Sequence, residues 1–177
     1  MALTNPQAAS HIAGADGAFE PQRGNNFSVE IPLDGADRDM IVFALSAFTL
    51  PSQTNEQITI NYQNQTRKVA GQANVDEGSL TLVDYVDQDV RGAILRWRKK
   101  VYDVTTGKIG KAADYKYNCN LIMTGPDGEN TRVAKLVGCW PPSDPTIDLN
   151  MEGAEKVMME CPLSIDDIDW SGSVTGL

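Results

Sequence analysis

The sequence has few of the residues on which most enzyme chemistry depends. It contains one histidine, His11, and three cysteines among 177 residues. The cysteines, Cys119, Cys139 and Cys161, form no C-x-x-C pair, and a tetrahedral zinc site built on them would need carboxylates as well. We therefore interpret them as small buried apolar residues and expect no metal and no cofactor. The single histidine also leaves Ser-His-Asp and Cys-His arrangements without a well-placed base.

Phosphate-binding loops and catalytic carboxylate pairs are equally scarce. The sequence has no G-x-x-x-x-G-K-[ST] loop, and no G-x-G-x-x-G follows a predicted strand. The acidic residues Asp166, Asp167 and Asp169 would fit a metal site or a catalytic pair. Like charges at such close spacing are more often a solvated face or a charged subunit contact, and we favour that interpretation. An acid-dependent hydrolase using this cluster stays as an alternative hypothesis.

Basic residues are also fewer than acidic residues. The chain has 15 Lys and Arg against 24 Asp and Glu, a formal net charge of −9. Because phosphate binding needs clustered cations, this balance argues against a protein that grips nucleic acid. No apolar run approaches the roughly 18 residues of a membrane span, and Met1–Phe19 lacks the basic and apolar blocks of a secretory signal. We expect a protein that stays where it is made.

From Phe27 onward, apolar and polar residues alternate along several segments, and this pattern predicts a mainly β protein. The expected fold is a β-sandwich or partly open barrel with one flanking α-helix. We expect a flexible N-terminal arm over residues 1–25, a single β domain over 26–170 and a flexible tail over 171–177. The predicted strands include Phe27–Leu33, Asp39–Phe48, Leu80–Val86 and a last strand over 157–165.

One segment has the periodicity of a helix lying on a core. Val90, Ile94, Trp97 and Val101 recur at spacings typical of an apolar helical stripe, and an aspartate before them can cap the helix. The last turns carry the chain's one cationic cluster, which comprises Arg96, Arg98, Lys99 and Lys100. Such a cluster could bind phosphate, but a solvated helix end or a contact with an acidic neighbouring subunit is the favoured interpretation.

Two hairpins stand out. The first is predicted over residues 57–72. In its first strand the apolar residues Ile58, Ile60 and Tyr62 lie on one face and uncharged polar residues lie on the other. That face comprises Gln57, Thr59 and Asn61, with Asn64 and Gln65 at the tip. The second turns at Gly125–Gly128, and a turn centred there places Cys119 opposite Ala134 and Cys139 opposite Asp114. At about 3.3 Å per residue the two cysteines would be about 16 Å apart, too far for a disulfide.

The order of these elements resembles the tail tube proteins of contractile-tailed bacteriophages. The resemblance runs from Asn26 to Trp170. Its most specific element is the turn Gly138-Cys139-Trp140-Pro141, which precedes Ile147-Asp148-Leu149, and it ends on the strand around Val157–Leu163 and on Asp169-Trp170. We read Gly138, Trp140 and Pro141 as a packing turn, since a buried aromatic beside a rigid proline fixes where the next strand begins.

The resemblance implies a structural protein and no enzyme. Members of the family form hexameric rings whose strands close into a larger β-barrel, and the rings stack into a conduit for genomic DNA inside a contractile sheath. The implied partners are further copies of the chain, the tail sheath, baseplate and tail terminator proteins, and a tape measure protein and DNA that pass through the lumen unbound. The implied location is the virion tail, assembled in the host bacterial cytoplasm, with no membrane contact by the isolated subunit.

Within that family interpretation the polar hairpin residues contribute to subunit or ring contacts. The helix-end cations face outward or toward a partner's acids, and some carboxylates face the bore. Two alternatives stay open. One is a tube subunit of a related device, such as a bacteriocin or a type VI-like system. The other is a monomeric β-barrel that binds an apolar ligand, a hypothesis suggested by Tyr115 and Tyr117.

Overall fold

Two four-stranded antiparallel sheets share one hydrophobic core in the computed structural model, which describes residues 22–126, 128–153 and 155–170. The strands are β1 (Phe27–Glu30), β2 (Leu45–Thr49), β3 (Gln53–Tyr62), β4 (Gln65–Val75), β5 (Gly78–Val83), β6 (Tyr102–Asp103), β7 (Lys108–Ile109), β8 (Tyr117–Thr124), β9 (Asn130–Cys139), β10 (Thr146–Ile147), β11 (Met158–Leu163) and β12 (Asp167–Asp169). The helices are α1 (Ala36–Ala44), α2 (Val90–Val101) and α3 (Ala112–Tyr115).

The strand order is β1-β8-β9-β12 in the first sheet and β10-β11-β5-β2 in the second sheet. Two further pairs, β3 with β4 and β6 with β7, form separate two-stranded hairpins. Among the described residues, neither four-stranded sheet closes on itself, so each has two edge strands with backbone groups that no further strand pairs. The mainly β fold predicted from the alternation is confirmed.

Alternating apolar residues build the core between the sheets. Leu80 and Leu82 of β5 are fully buried, and so are Cys161 and Leu163 of β11, because both strands turn the same face inward. The predicted helix is confirmed as α2, whose apolar stripe includes the buried Trp97. Asp89 caps this helix by accepting a hydrogen bond from the Gly92 N–H at 3.0 Å.

The predicted strand Asp39–Phe48 is wrong over its first half. Residues Ala36–Ala44 form α1, and the strand begins only at Leu45. Ile41 and Ala44, three residues apart, are the buried residues of this helix. A run that is apolar on both sides fits either a buried strand or a helix, and the alternation test cannot separate the two. The described residues therefore form three helices where one was predicted.

The predicted register of the β8–β9 hairpin is also wrong. Cys119 lies opposite Leu136, and Tyr117 lies opposite Cys139, with a bulge between the two rungs. The Cys119 and Cys139 thiols are neighbours rather than about 16 Å apart, and this contact together with burial raises the pKa of Cys119. All three cysteines are unbridged and buried. Asp127 of the predicted turn lies outside the described residues.

Parts of the predicted domain division also fall outside the described residues. These are residues 1–21 of the predicted arm, with His11, and the predicted tail over 171–177. Across the described ranges, no helix is both long and apolar enough to cross a membrane.

Candidate assembly surfaces

The β3–β4 hairpin stands apart from the hydrophobic core. Every residue of β3 is exposed, and β4 is exposed at all but two positions. Within the described residues, these strands pair in a ladder only with each other. An isolated two-stranded hairpin is marginally stable in water, so one of this length needs a partner surface to hold it.

One face of this hairpin is the predicted polar surface. Gln57, Thr59 and Asn61 lie on one side of β3, opposite Ala70, Lys68 and Thr66 respectively. The prediction that the face is uncharged is wrong, because Lys68 lies directly across from Thr59. Asn64 is in the turn, and Gln65 begins β4 opposite Tyr62, which places Gln65 on the other face.

The opposite face, here called the apolar face, carries four exposed apolar side chains, with Arg67 opposite Ile60 and Gln65 opposite Tyr62. Ile58 is 51% exposed, Ile60 50%, Tyr62 69% and Val69 47%. Ile58 and Val69 are directly paired across the two strands. Exposed apolar residues that share one face mark an interaction surface. The alternation in the sequence identified the side chains of this face, but only the structure shows that the subunit itself does not cover them.

The base of the hairpin is tied to the body of the subunit. The Gln53 side-chain amide donates to Asp167 of β12 at 2.7 Å. The Ser52 hydroxyl donates to the Asp76 carboxylate at 2.7 Å, and the Asp76 N–H donates to the Ser52 carbonyl at 3.1 Å. These bonds fix the direction in which the hairpin leaves the second sheet.

Two members of the predicted cationic cluster pair with acids of the same subunit. Arg96 donates to both Asp37 oxygens, at 2.6 and 3.0 Å, and to Asp89 at 3.1 Å. The hydrogen bond from Arg96 lowers the pKa of Asp37. Lys100 donates to Asp34 at 3.3 Å. These bonds attach α2 to the segment that begins α1.

The other two members of the cluster are less engaged. Arg98 is 3.9 Å from the carboxylate of Asp144, and the Arg98 Nε–H is buried without a hydrogen-bond acceptor. Lys99 is exposed near Asp103. The helix end thus presents Lys99, with part of Arg98, to solvent.

A hairpin that was not singled out from the sequence extends this helix end. Tyr102 pairs with Ile109, and Asp103 pairs with Lys108, around a turn at Gly107. Val104 and Ile109 are largely exposed. The sequence signal was the apolar residues on either side of the Thr105-Thr106-Gly107 turn, which is weak because each strand has only two residues.

The turn predicted from Gly138 to Pro141 is tightly packed. Gly138 has a φ of +68°, and its N–H donates to the Asn118 side chain at 3.1 Å. Trp140 exchanges backbone hydrogen bonds with Ser164 and makes an edge-on contact with Tyr115, with ring centroids 5.6 Å apart. Pro141 is fully buried. The turn therefore joins the end of β9 in the first sheet to the end of β11 in the second sheet.

The acidic cluster is engaged in local contacts. Asp166 accepts from Lys116 at 2.6 and 2.9 Å, and Asp167 accepts from the Gln53 side chain. Asp169 lies across the ladder from Lys135. Among the described residues, no group of three His, Cys, Asp or Glu side chains is arranged to hold a metal ion.

The tyrosines that suggested a ligand-binding barrel pack within the subunit. Tyr115 lies against Trp140, and Tyr117 lies 5.7 Å from the Trp97 ring and accepts a hydrogen bond from Lys100. An apolar groove lined by Phe27, Phe48 and other side chains has a volume of about 210 Å³. Pockets for small ligands usually occupy roughly 300–1,000 Å³, so this groove is small for that purpose. Open grooves of about 330 to 440 Å³ occur elsewhere on the described surface, but Tyr115 and Tyr117 do not line them.

The sequence matches no family model, but it is similar to two curated phage proteins. It is 26% identical over 149 residues to the tail tube protein gp19 of Enterobacteria phage T4, a match that covers 81% of this chain and 88% of that protein. The corresponding protein of Enterobacteria phage T6 is 25% identical over the same length and coverage.

Solved structures show the same fold at lower identity. A chain of the sheath–tube complex of an extracellular contractile injection system, PVC, superposes with a TM-score of 0.65 at 13% identity, covering 95% of this chain and 97% of that one. A chain of the tube-terminating cap of the anti-feeding prophage superposes with a TM-score of 0.65 at 13% identity, covering 84% and 89%.

Proposed function

We infer that this chain, a homologue of the tail tube proteins of phages T4 and T6, is a structural subunit of a tail tube. The sequence match to those proteins, which spans most of both chains, carries this conclusion. The fold shared with components of contractile injection systems supports it. The role is structural, and no catalytic activity is proposed.

The assembly proposed is a stack of hexameric rings around a bore. The open edges of both sheets support it, because closing strands around a ring removes unpaired edges. The exposed hairpin supports it as well, since both of its faces need a neighbour. In this assembly the predicted hairpin residues Gln57, Thr59, Asn61, Asn64 and Gln65 lie in contacts between subunits or rings.

The solvent-facing side of the second sheet is the surface best suited to line the bore. Its four strands contain no lysine or arginine. Thr49, Thr81 and Thr146 lie on this side together with Glu160, opposite the side that carries the buried Leu80 and Leu82. Without a cation to neutralise phosphate, and with a carboxylate that repels it, this side would let genomic DNA pass without tight binding.

The wider setting proposed is the tail of a virion with a contractile sheath. Partners would be the sheath, baseplate and terminator proteins, with a tape measure protein and DNA in the lumen. Assembly would take place in the host bacterial cytoplasm. The likeness to PVC and the anti-feeding prophage keeps an extracellular injection device as the second setting.

The experiment compares the wild-type chain with variants of the exposed hairpin. Purified wild-type protein should form pelletable hollow tubes in negative stain. Ile60→Ser on the apolar face and Thr59→Lys on the polar face should reduce the pelleted fraction, whereas Asn25→Lys, at an exposed turn away from the hairpin, should not. Ile60→Ser and Asn25→Lys change exposed side chains and should alter subunit stability by less than about 0.5 kcal/mol. Thr59→Lys places a second lysine directly opposite Lys68 and should destabilise the hairpin by up to about 1 kcal/mol. Wild-type tube yield from both hairpin variants would refute the assignment of the hairpin, and a strictly monomeric wild-type chain would refute the tube.

A further inference from the structure

Two surfaces outside the β3–β4 hairpin have matching chemistry. The basic knob is the end of α2 with the β6–β7 hairpin, and it carries Lys99, Tyr102, Val104, Lys108 and Ile109. The acidic loop is the described part of residues 148–157, and it carries Asp148, Leu149, Met151, Glu152 and Glu155. All of these side chains are exposed.

The basic knob combines lysines with solvent-exposed apolar side chains. Val104 is 83% exposed and Ile109 is 78% exposed. The Asp103 carboxylate accepts from the Thr105 N–H and the Thr106 hydroxyl, both at 3.0 Å. The Asp103 carboxylate is therefore occupied by hydrogen bonds within its own turn, and the exposed charges of this surface are the positive charges of Lys99 and Lys108.

The acidic loop has the complementary composition. Met151 is fully exposed and Leu149 is 79% exposed, between three carboxylates and one lysine, Lys156. The Asn150 side chain accepts from the Glu152 N–H at 2.9 Å, which shapes the tip of the loop. Apolar contact would stabilise an interface between loop and knob, and opposite charge would orient it.

The basic knob and the acidic loop lie at separate places in the fold. The Asp84 N–H donates to the Val157 carbonyl at 3.0 Å, so the acidic loop lies where β5 ends and the chain turns toward α2. The 12 residues of α2 then span about 18 Å before the knob begins. Asp144, which precedes β10 and the loop, lies beside Arg98 near the far end of α2. Thr146 and Ile147 then pair with Glu160 and Met159, so β10 leads the chain away from Arg98 to the loop at the end of β5.

We propose that the basic knob of one copy docks on the acidic loop of the next copy in a head-to-tail contact. The proposal rests on the tube function and names the surfaces that join its subunits. Because each copy offers one knob and one loop at separate places, the contact repeats from copy to copy and builds a ring or a stack. Its charged part weakens as salt screens the lysines from the carboxylates.

The test uses charge reversal on each surface. One variant carries Lys99→Glu and Lys108→Glu, and the other carries Glu152→Lys and Glu155→Lys. Each alone should assemble poorly, with a critical concentration raised at least about tenfold. An equal mixture should assemble again, because every knob then finds a loop of opposite charge, and the chain with all four substitutions should assemble by itself. Arg91→Glu with Arg132→Glu, at exposed positions outside both surfaces, matches the charge change of the knob variant and should assemble normally.

Sedimentation velocity of the two variants, alone and mixed, distinguishes the outcomes. Association of the mixture beyond that of either variant supports the contact, even if the wild-type chain forms no tubes, which would overturn the tube function alone. Normal assembly of both single-surface variants would overturn the contact. So would failure of the mixture and of the four-substitution chain when circular dichroism shows folded protein.

Discussion

Replacing Gly138 with alanine tests the account of the turn between β9 and Trp140. Gly138 has a φ of +68°, where a side chain costs roughly 1–2 kcal/mol of backbone strain. The new Cβ would also overlap the Asp166 carboxyl group, which Lys116 holds by two hydrogen bonds. Moving Asp166 away would break this partly exposed ion pair, at about 0.2–1 kcal/mol.

The expected loss of unfolding free energy is therefore about 1–3 kcal/mol. At about 2–4 °C per kcal/mol for a chain of this size, a loss of about 2 kcal/mol lowers Tm by about 4–8 °C. The assay is urea unfolding of the subunit at a concentration below that of polymerisation, followed by tryptophan fluorescence. Gly107→Ala is the matched control, because Gly107 has a φ of +67° but nothing within 4 Å of its added Cβ.

Comparison of the two variants isolates the contribution of Asp166. Gly138→Ala should destabilise the subunit more than Gly107→Ala, and adding Asp166→Ala should recover part of the difference because it removes the clash. Equal losses in the two glycine variants would show that Asp166 does not crowd the turn. An unchanged stability of Gly138→Ala would refute the strained backbone as well.

Three further predictions concern the core and its charged neighbours. Trp97→Ala should cost about 3–5 kcal/mol in urea unfolding, because the ring is buried and its N–H donates to the Tyr115 carbonyl at 2.8 Å; a loss below about 1 kcal/mol would contradict this placement. Burial raises the pKa of Cys161 to about 12, so iodoacetamide at pH 8 should modify this thiol only at the rate of unfolding, and labelling of the native chain within minutes would be the contrary result. Arg96 lowers the pKa of Asp37 in the folded chain, so the contribution of this carboxylate to stability is present above the unfolded pKa of about 3.9 and is lost as the pH falls through the lower folded value. Asp37→Asn should lower stability at pH 7 and flatten its decline below about pH 4, and an unaltered acid limb in a pH series of urea melts would count against the pair.

The elements with a clear period were predictable from the sequence. The stripe of α2 and the alternation of β8 and β11 follow from a fixed spacing between buried residues, which sequence displays directly. The run Met40–Phe48, which spans the end of α1 and most of β2, is apolar on nearly all sides, so its spacing indicates burial without choosing a conformation. The pairing of Asp37 with Arg96, far along the chain, is one contact of the helix that no local pattern contains.

The strand register and the exposure of side chains could not be predicted from the sequence. The β8–β9 register shifts at a bulge beside Cys119, and a shift of this kind leaves no mark in the composition of either strand. The apolar face of the β3–β4 hairpin has the alternation of a half-buried strand, and whether the subunit covers it depends on where the hairpin leaves the second sheet. The same holds for Arg96 and Lys100, whose charge was evident while their partners in the α1 region were not.

Cryo-electron microscopy of the assembled wild-type protein tests the tube most directly. We expect stacked rings with six-fold symmetry around an open bore, with the cation-free side of the second sheet facing the bore. A chain that stays monomeric at high concentration would contradict the tube, and so would a filament without a lumen. A bore lined by the lysines of α2 would contradict the assignment of the second sheet.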